Sequence, residues 1–142
     1  MSTLRAGLAF LAVIQAVLGV WPLTAPQSFY DNFPLPTNPW VAYYPPFNEH
    51  LLRDFGALNL ALCVVLVFAV VKLERSLTQA ALVAYLVFAV PHMTFHLFHL
   101  GHMPVVDQIG NVVTLAAVVL IPLALLPLTR RITPKIDSSA GR

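Results

Sequence analysis

The stretch of sequence that decides the fold is Leu77–Leu100, which reads LTQAALVAYLVFAVPHMTFHLFHL. These 24 residues contain no Asp, Glu, Lys or Arg, and three of the last nine are histidines. A helix rises about 1.5 Å per residue and the hydrocarbon core of a bilayer is about 30 Å thick, so about 20 apolar residues can cross it. The stretch therefore predicts a membrane-spanning helix with a polar site near one end.

Three other segments have the same apolar character: Ala6–Leu23, Leu51–Val71 and Pro104–Leu126. The 142-residue chain is 58% hydrophobic and 10% charged, with a mean hydropathy of +0.79. Soluble domains are about 45–50% apolar and about 25% charged. Because a small soluble fold could not hide that much apolar surface, we predict a single all-α domain over residues 1–128. It is a polytopic four-helix bundle in a lipid bilayer, followed by a tail at 129–142.

The composition excludes several classes of protein. The apolar content rules out an ordinary soluble enzyme and a disordered chain. The sequence has no run of basic residues with interleaved aromatics, so we predict no nucleic-acid partner. Its single cysteine, Cys63, cannot form an intramolecular disulfide or a Cys-x-x-Cys redox centre.

The positive charges predict the orientation. Seven of the eight Lys and Arg residues lie before the first span, between the second and third, or after the fourth: Arg5, Lys72, Arg75, Arg130, Arg131, Lys135 and Arg142. Only Arg53 lies on the other side. The positive-inside rule therefore predicts a multi-pass protein of the plasma (inner) membrane with both termini in the cytoplasm. Pro26 follows the first apolar run where a signal peptidase would cut, which favours an uncleaved helix.

The loop between the first two spans, residues 24–48, is long and unusual. It holds seven aromatic residues and six prolines. Proline fixes φ and donates no N–H, so we expect no regular structure beyond a short turn of helix. Aromatic side chains favour the headgroup level of a membrane. The loop is predicted to be a semi-rigid cap on the outer face of the bundle; the alternative is an interfacial anchor without a ligand role.

All five histidines lie in the half of the predicted bundle that faces away from the cytoplasm: His50, His92, His96, His99 and His102. Ionisable residues in a span are costly and normally face the bundle interior or a cavity. Residues rotate by about 100° each in a helix, so three of the histidines share one stripe of the third span, with Tyr85 two turns below. His92 and His96 lie deepest and are predicted to form the heart of a site, with His99 and His102 peripheral.

The second and fourth spans carry polar residues at the same height. Asn48 is predicted to cap the second span. Two pairs follow it at i,i+4 spacing: Glu49 with Arg53, and His50 with Asp54. The fourth span places Asp107, Asn111 and Thr114 on one face, and Gly56 and Gly110 are predicted to allow close helix approach. We interpret Arg53 as part of a structural ion-pair network rather than as a binder of a substrate carboxylate.

These residues allow a transition-metal site. Imidazole and carboxylate ligands suit Zn, Cu or Fe, and the predicted ligands are His92, His96, His50, Glu49, Asp54 and Asp107. Arg53, Asn111, His99 and Tyr85 would support them in a second layer of contacts. In the alternative without a ligand, the histidines hydrogen-bond across helices or lie among the headgroups.

Two further chemistries stay open. A haem would need His50 opposite His92 or His96 as an axial pair. A site without metal would use His and Glu side chains to move protons on an apolar substrate such as a sterol or a quinone.

Two function classes follow from these patterns. In the first, the protein binds a transition metal, or carries out metal- or acid/base-assisted chemistry on an apolar small molecule, at an outward-facing His/carboxylate site. In the second, it is a non-catalytic accessory or assembly subunit of a larger membrane complex, or a homo-oligomer, in which the polar cluster ties helices together. The sequence leaves open whether the protein is an enzyme.

The run Asn48-Glu49-His50-Leu51-Leu52-Arg53-Asp54-Phe55-Gly56-Ala57 follows the aromatic loop and precedes an apolar span. With this layout, residues 1–127 resemble the DoxX-like group of small four-helix bacterial membrane proteins. The resemblance implies a four-helix membrane bundle and, for some members, a link to oxidoreductase assemblies. It implies no catalytic residues here.

Overall fold

The computed structural model describes residues 1–133. Its long helices are α1 (Ser2–Thr24), α3 (Glu49–Lys72), α4 (Arg75–Phe98) and α5 (Val105–Leu125). Between α1 and α3 lie a short helix α2 (Pro26–Asn32) and two short strands, β1 (Pro34–Leu35) and β2 (Asn38–Pro39). Short 3-10 turns occupy Val41–Tyr43, Leu100–His102 and Leu126–Arg131.

The four long helices confirm the predicted all-α architecture and the four predicted apolar spans. Each is long and apolar enough to cross a membrane. Their outward faces are apolar as well: Val13, Phe68 and Val87 are among the large hydrophobic side chains that are more than half exposed. In water such a surface would be costly, whereas in a bilayer it contacts lipid tails.

Local sequence signals explain where the helices begin and end. Asn48 caps α3 as predicted, because its side chain accepts a hydrogen bond from the Leu51 N–H at 3.0 Å. Leu73 follows α3 in the left-handed conformation, with φ 45°, which lets the chain reverse into α4 within two residues. Pro104 precedes the first turn of α5, where a missing N–H costs nothing.

The tightest packing joins α1 to α3. A side chain at Gly56 would lie 2.8 Å from the Gly19 carbonyl oxygen and 2.8 Å from the Leu23 nitrogen. Small residues at such a crossing let two backbones approach closely. The prediction that Gly56 permits close helix approach is therefore confirmed. The helices α4 and α5 form a second antiparallel pair, and contacts of α4 with α3 and of α5 with α1 close the bundle.

We call residues 25–48 the cap and the bundle end beneath them the cap end. In the cap, α2 runs for seven residues, longer than the short turn expected, because Pro26 occupies its first position with a preset φ. Phe29 of α2 is buried and packs on the rings of Trp21, Phe33 and Phe55. The pair β1 and β2 continues the cap, with Leu35 opposite Asn38.

At the other end of the bundle, the first residues of the predicted tail pack against the helices. Thr129 is buried, and its hydroxyl accepts a hydrogen bond from Gln79 Nε2 at 3.1 Å. Ile132 is buried in the apolar core. The tail was expected to begin at 129; its remaining residues, 134–142, lie outside the described part of the chain.

Candidate functional site

Asp107, in the first turn of α5, holds the cap in place. Its carboxylate accepts hydrogen bonds from Asn38 Nδ2 at 2.9 and 3.1 Å, from Trp40 Nε1 at 3.1 Å and from the Tyr43 hydroxyl at 3.3 Å. The residue is only 4% exposed. A carboxylate is also favoured at the N-terminal end of a helix dipole. We call these four residues the latch.

Gly110 adjoins the latch on α5. A side chain there would lie 3.0 Å from the indole ring of Trp40. The sequence predicted that this glycine would let another helix approach. The structure instead shows that it lets the cap indole approach α5.

Tyr44, the residue after the latch tyrosine, joins the cap to α4. Its hydroxyl lies 3.2 Å from His96 Nδ1 and 3.2 Å from the backbone oxygen of His99. A carbonyl oxygen can only accept, so satisfying both contacts makes Tyr44 donate to His99 and accept from the Nδ1–H of His96. A tyrosine hydroxyl is protonated at neutral pH, and burial raises the pKa of Tyr44 further. His96 is thereby left with a free Nε2 lone pair.

His92 lies one turn deeper on α4, half-buried among aromatic rings. Its imidazole stacks on Phe88, with centroids 5.3 Å apart and planes 18° apart, and packs on Phe55 at 6.2 Å. The centroids of His92 and His96 are 4.7 Å apart. The structure thus brings together the two histidines that were predicted to form the heart of the site.

His99 follows the last helical residue of α4, Phe98, although the span was predicted to continue to Leu100. Its Nδ1 lies 2.7 Å from the backbone oxygen of Phe95, so Nδ1 carries the proton and donates. The ring also stacks on the Phe95 ring, with centroids 4.1 Å and planes 15° apart. These two contacts fix the imidazole and leave its Nε2 free.

A cleft with a volume of about 610 Å³ lies between the cap and the end of α4. It is lined by Ala42, Tyr43, Tyr44, Pro45, Phe95, His99 and His102. The histidines expected to be peripheral are therefore the ones that face the cleft, whereas His92 and His96 lie behind its wall.

The charged residues at the start of α3 form two separate pairs. Arg53 lies 2.8 Å from Glu49, and His50 lies 3.3 Å from Asp54, which confirms both predicted i,i+4 pairs. Arg53 also donates to the backbone oxygen of Leu23 at the end of α1. Its role is therefore to tie α3 to α1, and the side chains of both pairs are largely exposed.

The six predicted metal ligands thus occupy three places. His92 and His96 form a pair on α4, Glu49, His50 and Asp54 lie on the exposed start of α3, and Asp107 holds the cap. Within residues 1–133, no group of three or more His, Cys, Asp or Glu side chains could hold one metal ion. Of the supporting residues, Tyr85 and Asn111 are buried in the bundle.

Three buried amide atoms have no hydrogen-bond partner among the described residues: Gln15 Nε2, Asn59 Oδ1 and Asn111 Oδ1. The Asn59 amide donates to the backbone oxygen of Phe55 in its own helix at 2.7 Å rather than to a neighbouring helix. Thr114, predicted on the same face as Asn111, is exposed and donates to the Gly110 carbonyl.

Sequence reasoning missed the cap residues that build the site: Asn38, Trp40, Tyr43 and Tyr44. One signal pointed to them. Asp107 begins a helix with no cation near it in sequence, and the cap is rich in amide, indole and phenol donors. Comparison with known proteins adds no further guide, because no family model, no curated protein and no solved structure matches this chain.

Proposed function

We propose that this chain is an integral membrane protein that binds an apolar, aromatic small molecule in the cleft between the cap and α4. The observation that supports the proposal is the cleft wall, which combines aromatic rings with an imidazole held in one orientation. Small-molecule sites typically have volumes of about 300–1,000 Å³ and mostly apolar walls with a few fixed polar groups. The orientation predicted from the positive charges places this cleft outside the cytoplasm.

His99 is the polar group that we assign to the ligand. Because its Nδ1–H donates to the Phe95 carbonyl, the free Nε2 can accept a hydrogen bond or a proton from a bound molecule. Imidazole is the side chain best suited to exchange protons near neutral pH. The site could therefore orient a ligand and move a proton on it. Acid/base chemistry is one of the alternatives that the sequence leaves open, although there it combined His with Glu and placed His99 at the periphery.

Photolabelling with benzophenone in lipid nanodiscs tests the proposal. Labelling by this apolar aromatic probe should reach saturation as its concentration rises, and the adducts should concentrate on the cleft residues Tyr44 and Phe95. Ala42→Trp should suppress these adducts by filling the cleft. Ala61→Trp is the matched control, because Ala61 is exposed on α3. Adducts spread evenly over the apolar faces of the bundle would overturn the proposal.

A second candidate function, transition-metal binding, is favoured by the His92–His96 pair. Two imidazoles that ligate one ion through Nε2 at about 2.1 Å have centroids about 5 Å apart, and these two are 4.7 Å apart. The Tyr44 hydroxyl accepts a hydrogen bond from His96 Nδ1–H, and metal-bound histidines usually donate their other ring N–H in this way. A third ligand would have to be water or substrate.

Zinc binding measured on purified protein tests this candidate. His92→Ala and His96→Ala should each abolish bound Zn²⁺, and Tyr44→Phe should weaken it by about tenfold or more. His50→Ala is the matched control, since His50 is exposed on α3 and pairs with Asp54. Metal content that is unchanged in the double His92/His96 variant would exclude the pair as ligands.

A further inference from the structure

The polar atoms of the cleft restrict the chemistry of the ligand. The described residues that line it carry no carboxylate, ammonium or guanidinium group. An ionic ligand would therefore lose part of its hydration without meeting a permanently charged partner of the opposite sign. A neutral molecule fits this wall best.

The hydroxyl protons of the two cleft tyrosines are already used inside the protein. Tyr43 donates to Asp107 at 3.3 Å, and Tyr44 donates to the His99 backbone oxygen at 3.2 Å. Each hydroxyl therefore has only lone pairs to offer a ligand.

His99 offers a lone pair as well. Its Nδ1–H donates to the Phe95 carbonyl at 2.7 Å, which selects one orientation of the imidazole, and stacking on the Phe95 ring holds the ring plane. In the neutral imidazole, Nε2 is then an acceptor. His102, in the 3-10 turn after α4, also lines the cleft, but no hydrogen bond among the described residues fixes its ring. The three polar groups of the wall that are held by hydrogen bonds, Tyr43, Tyr44 and His99, all offer acceptors.

We infer that the cleft selects a neutral aromatic molecule with a hydroxyl group, such as a phenol. The hydroxyl of this ligand donates a hydrogen bond to His99 Nε2. This inference rests on the proposed function and names its ligand class. The aromatic ring of the ligand would pack among Tyr44, Phe95 and Pro45, while the hydroxyl faces His99.

A matched pair of photoprobes tests the inference. 4-Hydroxybenzophenone and 4-methoxybenzophenone have nearly the same shape, but only the first donates a hydrogen bond. One neutral hydrogen bond contributes about 0.5–1.5 kcal/mol, so half-saturation of cleft labelling should occur at an about three- to tenfold lower concentration of the hydroxy probe.

His99→Phe should abolish this preference, because phenylalanine can still stack on Phe95 but has no acceptor. Labelling by the methoxy probe should persist in that variant. The matched control is His50→Phe, an exposed histidine outside the cleft, which should keep the preference. Equal labelling of the cleft by both probes would overturn the inference and leave the proposed function standing. Failure of both probes to label the cleft would overturn both.

Discussion

In the half of the bundle far from the cap, Leu8, Leu11 and Leu82 are fully buried in one apolar cluster, whereas core positions nearer the cap hold Gln15, Asn59 and Asn111. The leucine cluster of the far half needs no specific partners, because burial of hydrocarbon is favourable in many arrangements. The polar half depends on particular hydrogen bonds, and a buried amide without a partner costs free energy.

Under the proposed function, this difference separates the residues that stabilise the bundle from those that form the site. In a bilayer, lipid tails are as apolar as leucine, so close packing rather than the hydrophobic effect would hold the far half together. The cap half carries the cleft, the histidine pair and the latch, whose atoms must lie at defined distances. Arg53 and Gly56 show how the polar half is still held firmly, since they fasten α3 to the end of α1.

The largest expected effect contrasts the two halves directly. Leu82→Ala should lower the free energy of unfolding by about 2–5 kcal/mol, because it leaves a cavity in the apolar core. Asn59→Leu should change it by less than about 1 kcal/mol. It removes an Oδ1 atom that has no partner among the described residues and loses only one bond, to a carbonyl of its own helix. Titration from mild detergent into SDS measures both.

Val83→Ala is the control for Leu82→Ala, because Val83 is half-exposed on the outer face of α4. It should have little effect. If Asn59→Leu were as costly as Leu82→Ala, the Asn59 Oδ1 atom would have a partner outside the described residues, and the prediction that this amide is only partly satisfied would be wrong.

The next effect concerns the latch. Asp107→Asn keeps the size of the side chain but replaces one acceptor oxygen by a donor that faces Asn38, Trp40 and Tyr43. Hydrogen bonds to a charged group contribute about 1.5–3 kcal/mol, so exchange of the backbone amides in the cap should accelerate about tenfold or more. Hydrogen exchange with mass spectrometry measures this, and the far half should stay protected.

Asp54→Asn is the matched control, because Asp54 pairs with the exposed His50. Cap exchange in that variant should equal that of the unmodified protein. Unchanged protection of the cap in Asp107→Asn would mean that the aromatic contacts of Phe29 hold the cap without the latch.

Much of the bundle could be predicted from local sequence. The lengths of the apolar segments predicted the four helices, and Asn48 predicted the start of α3. The i,i+4 spacing predicted the pairs Glu49–Arg53 and His50–Asp54. These features depend on residues within one or two turns of each other, where helix geometry fixes the distance.

The site itself depended on information that spacing does not contain. The helical rise per residue correctly predicted that Asp54 and His92 lie near the same end of the bundle. Position along the helix axis does not, however, determine the direction in which a side chain points. Asp54 faces outward at the exposed start of α3. The latch joins residues that are 64 to 69 positions apart, through a cap without periodicity. His99 reaches the cleft because α4 ends two residues before the predicted bound.

The smallest expected effect is the change in cap closure when the latch residue Tyr43 ionises at alkaline pH. Burial and the neighbouring Asp107 carboxylate raise the pKa of Tyr43 above its ordinary value of 10.0, because ionisation would break its hydrogen bond and place two negative charges together. A group whose pKa is raised on folding contributes its stability below the unfolded pKa and loses it as pH rises through the folded pKa. The Tyr43 contribution to cap closure should therefore be complete at neutral pH and be lost only above pH 10.

Tyrosinate absorbance of the unmodified protein minus that of Tyr43→Phe should give a titration above pH 10, and cleavage of the cap by an alkaline protease should rise over the same interval. Tyr43→Phe should be cleaved faster already at neutral pH and show a smaller further rise. The matched control is Tyr30→Phe, whose ring packs on Phe47 within the same cap; it should keep the alkaline rise in cleavage. A Tyr43 titration at or below pH 10 would contradict the bond to Asp107, and the contrast between the two halves would then rest on Asn38 and Trp40 alone.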